Sequence, residues 1–227
     1  MADYYSQNAD ALFERYTALD FEAVHEDLAG CLPETLGAAL DVGAGSGRDA
    51  LALAKRGWEV VAVEPAQRLR RLGASYTEGH SVQWMDDRLP ALDRVRALSE
   101  RFDLILVSAV WMHVPQAERE RALRVLGDLL APGGRLCITL RYGPGDGERD
   151  FHPVSREEIE QLARQRALVD VTPTKARGAR ADCQGRTDVS WETVCLQLPD
   201  DGTGALPVLR HIIVNDQKSS TYKLGLL

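Results

Sequence analysis

No apolar run in this sequence is long enough to cross a membrane as a helix. The opening Met1-Ala-Asp-Tyr-Tyr has neither the basic nor the apolar region of a signal peptide, so the expectation is a cytoplasmic protein with no membrane partner. Cysteine is scarce. The four present, Cys31, Cys137, Cys183 and Cys195, form no Cys-x-x-Cys pair and have no histidine at ligand spacing. Structural zinc and a disulfide framework are therefore unsupported, and no metal is expected. A basic excess is missing as well: the net charge of −7 opposes sequence-independent attraction to nucleic acid and leaves a small molecule, or else a protein, as the expected partner. Internal repeats are absent, and nothing in the sequence speaks to oligomeric state.

What is present is ordinary globular material. With 44% hydrophobic and 27% charged residues over 227 positions, the chain suits one large α/β domain with a full core and hardly a second. Near the start, Ala9, Leu12, Phe13 and Tyr16 recur at helical spacing, which predicts one amphipathic helix over about residues 4–19.

Residues 38–64 carry most of the information. An apolar run, Leu40 to Val42, ends in glycines at alternate positions, Gly43, Gly45 and Gly47, where a buried strand would turn sharply into a helix and the backbone could approach a ligand closely. A short alanine- and leucine-rich helix follows, with Gly57 placed to cap its C-terminus. A second buried strand, Val60 to Val63, finishes in Glu64, an acid able to accept both hydroxyls of a ribose. The dinucleotide fingerprint shares this layout, but it needs a glycine at position 48, where this chain has Arg48.

Leu-Asp-Val-Gly-Ala-Gly-Ser-Gly at 40–47 instead resembles the first motif of class I S-adenosylmethionine-dependent methyltransferases. The Pro132-Gly133-Gly134 turn between a helix and the strand Arg135 to Leu140 resembles the same family. The resemblance implies a Rossmann-like, seven-stranded, mostly parallel sheet with helices on both faces and a reversed last strand, and S-adenosylmethionine as cofactor. It implies that Asp41, Gly43, Ala44, Gly45, Gly47 and Arg48 cradle that cofactor and that Glu64, beside Pro65, holds the ribose. Either Asp86 or Asp87 would meet the adenine, with Leu89 against the base. Ser108, Ala109 and Val110 would close the site at the end of the fourth strand, Phe102 to Val107. The N-terminal helix would be a lid that brings Tyr5 and Tyr16 to the methionine end or the acceptor.

Methyl transfer from a sulfonium is an in-line displacement, which requires alignment and, for some acceptors, a base. His113 is the candidate base, because imidazole titrates near neutrality and this one follows the fourth strand. Its neighbours Trp111, Met112 and Val114 also suit a packing role. An Asn/Asp-Pro-Pro-Tyr motif, typical of enzymes acting on exocyclic or amide nitrogens, is missing at 108–111, and a small-molecule acceptor is expected. A binding protein that holds S-adenosylmethionine or S-adenosylhomocysteine without turnover would carry the same motifs. A nicotinamide-dependent oxidoreductase is the more distant alternative.

Beyond Arg141, Ser155 and Glu158 predict a capping box for a helix to about residue 166. Segments 168–171 and 189–198 suit a final antiparallel pair. The domain is expected to span 1–198. Residues 199–227 read as a linker and tail whose apolar block, around Leu206 to Val214, would either dock on the same chain, the favoured arrangement, or serve an interaction.

Overall fold

The computed structural model describes residues 2–200, so the expectations for the tail lie almost wholly outside the described residues. Among those described, no helix is long and apolar enough to cross a membrane. The chain opens with α1 (Ala2–Gln7), α2 (Ala9–Thr17) and α3 (Phe21–Val24). It then alternates through β1 (Ala38–Val42), α4 (Arg48–Lys55), β2 (Glu59–Val63), α5 (Gln67–Tyr76), β3 (Val82–Met85), α6 (Asp93–Ala97) and β4 (Phe102–Val107). The second half holds α7 (Gln116–Leu129), β5 (Leu130–Tyr142), α8 (Arg156–Arg164), β6 (Val169–Asp170), β7 (Arg180–Ala181) and β8 (Ser190–Gln197).

The strands form one sheet in the order β3-β2-β1-β4-β5-β8-β6, with the two-residue β7 pairing with β8. Neighbours from β3 to β5 are parallel, and β8 is antiparallel to β5, β6 and β7. This is the expected fold with one short extra strand.

Side chains that alternate along each strand divide the core into two layers. Leu40, Val42, Val61, Val63, Ile105 and Val107 face α7 and α8, while Ala39, Val60, Ala62, Leu104 and Leu106 face α4 and the segment around Phe21 and Leu28. Both faces are covered, which is why these parallel strands read as nearly continuous apolar runs. In the second layer the sulfurs of Cys31, Cys137 and Cys195 lie within 4.8 Å of one another. Cys137 and Cys195 sit directly opposite across β5 and β8, so pairing between strands, and no motif, brings them together.

Four local expectations change. The single helix over 4–19 is two, interrupted at Asn8 (φ −103°, ψ 14°), whose side-chain amide donates to the Tyr4 carbonyl and competes with the helical backbone. Pro132-Gly133-Gly134 lies inside β5 as a bulge: Phe102 pairs with Leu130 but Leu104 with Arg135. A side chain at Gly134 would stand 2.7 Å from the Phe102 carbonyl, so only glycine lets the bulge close on β4. The capping box at α8 is half made, because Ser155 Oγ accepts from the Glu158 amide at 3.2 Å while the Glu158 carboxylate turns to Arg119 at 2.5 Å. The helix stops at Arg164, short of residue 166.

Candidate active site

The chain runs outward from β1 to β2 and β3, then crosses back to place β4 on the other side of β1. Strand order therefore reverses between β1 and β4, where parallel α/β sheets open a crevice at the carboxyl ends of their strands. A cavity of about 540 Å³ lies there, within the ~300–1,000 Å³ range of small-molecule sites. Tyr5, Arg15 and Tyr16 from the N-terminal helices, and Leu19 just after them, form part of its wall. Those helices are held over the crevice by packing of Ala9, Tyr5 and Phe13 on Ala66 and Leu69.

The three glycines after β1 all have positive φ but do different things. A Cβ on Gly43 (φ 74°) would lie 2.3 Å from Val110, so this glycine lets the β1 and β4 ends approach. One on Gly47 (φ 81°) would meet Trp84 at 2.9 Å and the Gly73 carbonyl at 3.3 Å, which makes that position a packing site for α4. At Gly45 (φ 56°) nothing lies closer than 3.8 Å, and the open space is the cavity itself. Of the three, Gly45 is the one that leaves open space beside the cavity.

Glu64 stands at the end of β2 and is 6% exposed. Its Oε1 accepts from the Ala66 amide at 2.7 Å and its Oε2 from the Gly45 amide at 3.1 Å, so each oxygen keeps a lone pair for a further donor. Burial pushes its carboxyl up to about 7. Below the loop, Asp41 is buried with Oδ2 unpartnered, and burial together with nearby Asp49 raises its carboxyl well above the usual range. Burial alone would raise Asp49 too, but His25 at 2.9 Å and Arg48 at 2.6 Å hold it ionised.

The structure gathers Tyr16, Gly43, Ala44, Gly45, Arg48, Glu64, Pro65, Asp87, Leu89, Ser108, Ala109, Val110 and His113 around the cavity. Asp41, Gly47 and Asp86 stand outside its wall. Asp86 pairs with Arg70 at 3.1 Å. The Asp87 carboxylate reaches the amides of Arg94 at 2.7 Å and Val95 at 3.0 Å, capping α6.

On the other side of the switch point, Ala109 takes φ 55°, held by its amide donating to Thr139 Oγ1 at 2.7 Å. His113 follows on a 3-10 turn, Trp111–His113. Its Nδ1 lies 2.8 Å from the Asp150 carbonyl, which can only accept, so the proton sits on Nδ1 and the lone pair on Nε2. That lone pair accepts from the Tyr5 hydroxyl at 3.0 Å, and Arg149 donates to the same hydroxyl at 3.2 Å. Burial lowers the imidazole below 6.5 and raises the Tyr5 phenol to about 12. The pair is thus neutral imidazole with intact phenol at physiological pH.

Arg15, Arg141, Arg149, Phe151, Arg186 and Trp191 also line this half and were missed by sequence reasoning. Arg141 alone had a usable signal, since it closes an apolar strand at the end where ligands gather. Arg149, Phe151 and Arg186 come from turn-rich segments with no periodicity, while Arg15 on α2 and Trp191 on β8 stand in regular elements whose spacing does not single them out.

Residues 39–134 match a family model described as a methyltransferase domain, and residues 202–227 match a domain of unknown function (DUF8808). A ubiquinone biosynthesis O-methyltransferase of Cereibacter sphaeroides is 31% identical over 143 residues, covering 63% of this chain and 52% of its own length. The chain spans about half to two thirds of the length of the curated relatives it matches. Among solved structures, the 1,6-didemethyltoxoflavin-N1-methyltransferase of Burkholderia thailandensis superposes with a TM-score of 0.66 at 19% identity, covering 88% of this chain and 87% of that one. The N-methyltransferase NodS of Bradyrhizobium japonicum WM9 gives 0.59 at 19%, covering 83% and 97%. Residues 39–134 thus match a methyltransferase domain, and the sheet with its reversed strand order is the Rossmann-like fold of these solved methyltransferases.

Proposed function

We propose that this chain transfers a methyl group from S-adenosylmethionine to a small-molecule acceptor bound over β4, β5 and β8. The observation that carries the reading is the pairing, in one cavity, of an open Gly45 backbone tied to the buried Glu64 carboxylate with the Tyr5–His113 pair across the switch point. Gly45 and Glu64 fit a nucleoside: the glycine leaves room where any side chain would intrude, and the carboxylate offers two lone pairs to vicinal hydroxyls. Leu89 and Pro65 supply apolar wall for a base. When bound, S-adenosylmethionine supplies an electrophilic methyl group on a sulfonium that already is a good leaving group.

The chain's own residues then align and deprotonate. The N-terminal helices cover the crevice and exclude water, the ordinary work of a lid. Tyr5 and His113 both border the cavity, with the Tyr5 hydroxyl donating to Nε2. That hydroxyl takes the proton of an acceptor O–H or N–H as it passes its own to Nε2, so no phenolate is required and the high phenol pKa is no obstacle. His113, held neutral by burial and oriented by the Asp150 carbonyl, is the base at the end of this relay.

Formation of S-adenosylhomocysteine from S-adenosylmethionine across a metabolite panel tests the reaction. Binding of both ligands with no turnover on any acceptor would reduce the protein to a binding role. A shift of melting temperature by nicotinamide cofactors, and none by S-adenosylmethionine, would overturn the reading altogether.

A further inference from the structure

We propose that the acceptor half of the cavity recognises a carboxylate on a planar acceptor and that Arg141 is the group that holds it. This rests on the methyltransferase reading for the word acceptor, but the arginine site itself is argued from the chain.

Arg141 closes β5 and is 8% exposed; its Nε is buried and the residue lines the cavity wall. A charge so placed needs a partner, because burial without one costs several kcal/mol. Elsewhere the chain supplies such partners: Arg119 has Glu158 at 2.5 Å, and Arg156 has both Glu192 and Asp170. For Arg141 no carboxylate lies within ion-pair distance among the described residues. Its Nη1 makes one long bond to the Gly143 carbonyl at 3.4 Å, and its Nε has no partner.

Two more guanidiniums converge on the same wall. Arg149 and Arg186 are neutralised by Asp146 and Asp182, and both act on Arg141. After burial itself, their positive charge is the chief reason that the Arg141 guanidinium is pushed below its ordinary range. Asp146 and Asp188 act on Arg141 only from beyond ion-pair distance, so in a chain of net charge −7 this guanidinium, beside two others, is left without a carboxylate in direct contact and is free to take one from a ligand. A guanidinium edge matches a carboxylate with two parallel hydrogen bonds.

The surrounding apolar surface gives the rest of the ligand's shape. Phe151 lies under both Arg141 (4.6 Å from guanidinium carbon to ring centre) and Arg149 (4.9 Å), with its ring tilted at 51° to His113. Trp191 pairs opposite Arg141 on β8. Between Glu64 on β2 and Arg141 on β5 lie three strand spacings, about 14 Å, so the two charges sit on opposite sides of the switch point. The nucleoside end and the carboxylate end of the cavity are therefore separate.

Calorimetry on the full chain saturated with S-adenosylhomocysteine tests this, with 4-hydroxybenzoate and phenylacetate as probes and their amides as neutral controls. The acids are expected to bind at least about tenfold more tightly than the amides. Arg141→Met should erase that preference while leaving S-adenosylhomocysteine affinity within about twofold. Because the variant removes an unpaired buried charge, its melting temperature should be equal or higher. Equal binding of acids and amides by the wild type would overturn the proposal. So would loss of S-adenosylhomocysteine affinity in Arg141→Met, which would assign the arginine to the cofactor, or a lower melting temperature with acid preference intact, which would make it structural. Repeating the acid and amide titrations without S-adenosylhomocysteine separates the two readings. A wild type that ignores that ligand yet prefers acids through Arg141 would sink the methyltransferase reading and leave the carboxylate site standing.

Discussion

At the β1–β2 end of the cavity the atoms that face a ligand are backbone and one short acid: Gly45 at φ 56° and a Glu64 carboxylate that ties it to Ala66. At the β5–β8 end they are long side chains, Tyr5, His113, Arg141, Arg149 and Phe151, from segments far apart in the chain. Glu64 is a buried carboxyl whose oxygens both accept from backbone amides, while Arg141 is a cation that meets no carboxylate. The difference separates what the fold imposes from what it merely permits. A glycine turn cannot change its ligand without changing the backbone, but the side chains of the other end can be exchanged on an unchanged sheet. One end is thus suited to a fixed ligand, and the other can change its chemistry without changing the sheet.

The sharpest way to break this comparison is to put side chains on the glycines. Gly43→Val drives a side chain into Val110 at a positive φ, which should destabilise by roughly 2–5 kcal/mol through overpacking and backbone strain. Thermal melts should fall by on the order of 10 °C. Gly45→Ala meets open space, so it should lose only about 1 kcal/mol of folding stability yet weaken S-adenosylhomocysteine markedly. Equal damage to folding from both would erase the distinction between a packing glycine and a ligand glycine.

Glu64→Ala comes next, with an expected loss of about 1–3 kcal/mol in cofactor affinity, on the order of 10- to 100-fold. Calorimetry checks it, and unchanged affinity would remove Glu64 from the ribose site. The same group sets a pH dependence. With its carboxyl raised from 4.5 to about 7 in the folded state, the native protein holds a proton there that the unfolded chain has already released. Stability of the ligand-free protein should therefore fall as pH rises from about 4.5 to about 7. Hydroxyls that donate to Glu64 favour the ionised form, so cofactor affinity should rise over that window. Titrations at pH 5.5 and 8 would show the opposite trend if Glu64 bound its ligand protonated.

At the other end, Tyr5→Phe and His113→Phe should lower kcat by about tenfold or more with cofactor affinity preserved. For a lowered imidazole the rate should rise with pH and level off at a lower pH than a free imidazole would give. Hydrogen exchange over residues 4–19 should slow when S-adenosylhomocysteine binds; identical exchange with and without it would make α1 and α2 ordinary packing helices. The smallest effect belongs to a site remote from both ends. Ser155→Ala removes the α8 cap and should cost about 1 kcal/mol, roughly 2–4 °C, with ligand affinities and the acid preference unmoved.

Much of the cofactor end was legible because its signals are local. Strand, turn, helix, strand and acid follow one another without interruption from Ala38 to Glu64, and each is fixed by its neighbours in sequence. The same locality limits what the motif says about which way each residue faces. Gly47 and Asp41 belong to the motif, but whether a motif residue faces the ligand or the layer beneath depends on α5 and α4 packing against the loop. Asp86 and Asp87 could not be separated in sequence, because their roles were set by Arg70 and by the start of α6. The second tier of the chain shows the same limit: Glu158 fits a capping box until Arg119, 39 positions away, claims its carboxylate.

The sequence by itself determined the alternating α/β order, the glycine turn that only positive φ can satisfy, and the acid that closes β2. Backbone geometry and burial patterns repeat within a few residues, so they are written locally. Only the tertiary structure decided that Tyr5 would reach Arg149, 144 positions away, that three scattered cysteines would share one core, and that Arg141 would be buried without a counter-ion. Those outcomes depend on loops folding back over strand ends, where electrostatics and packing are settled between residues that share no period and no motif.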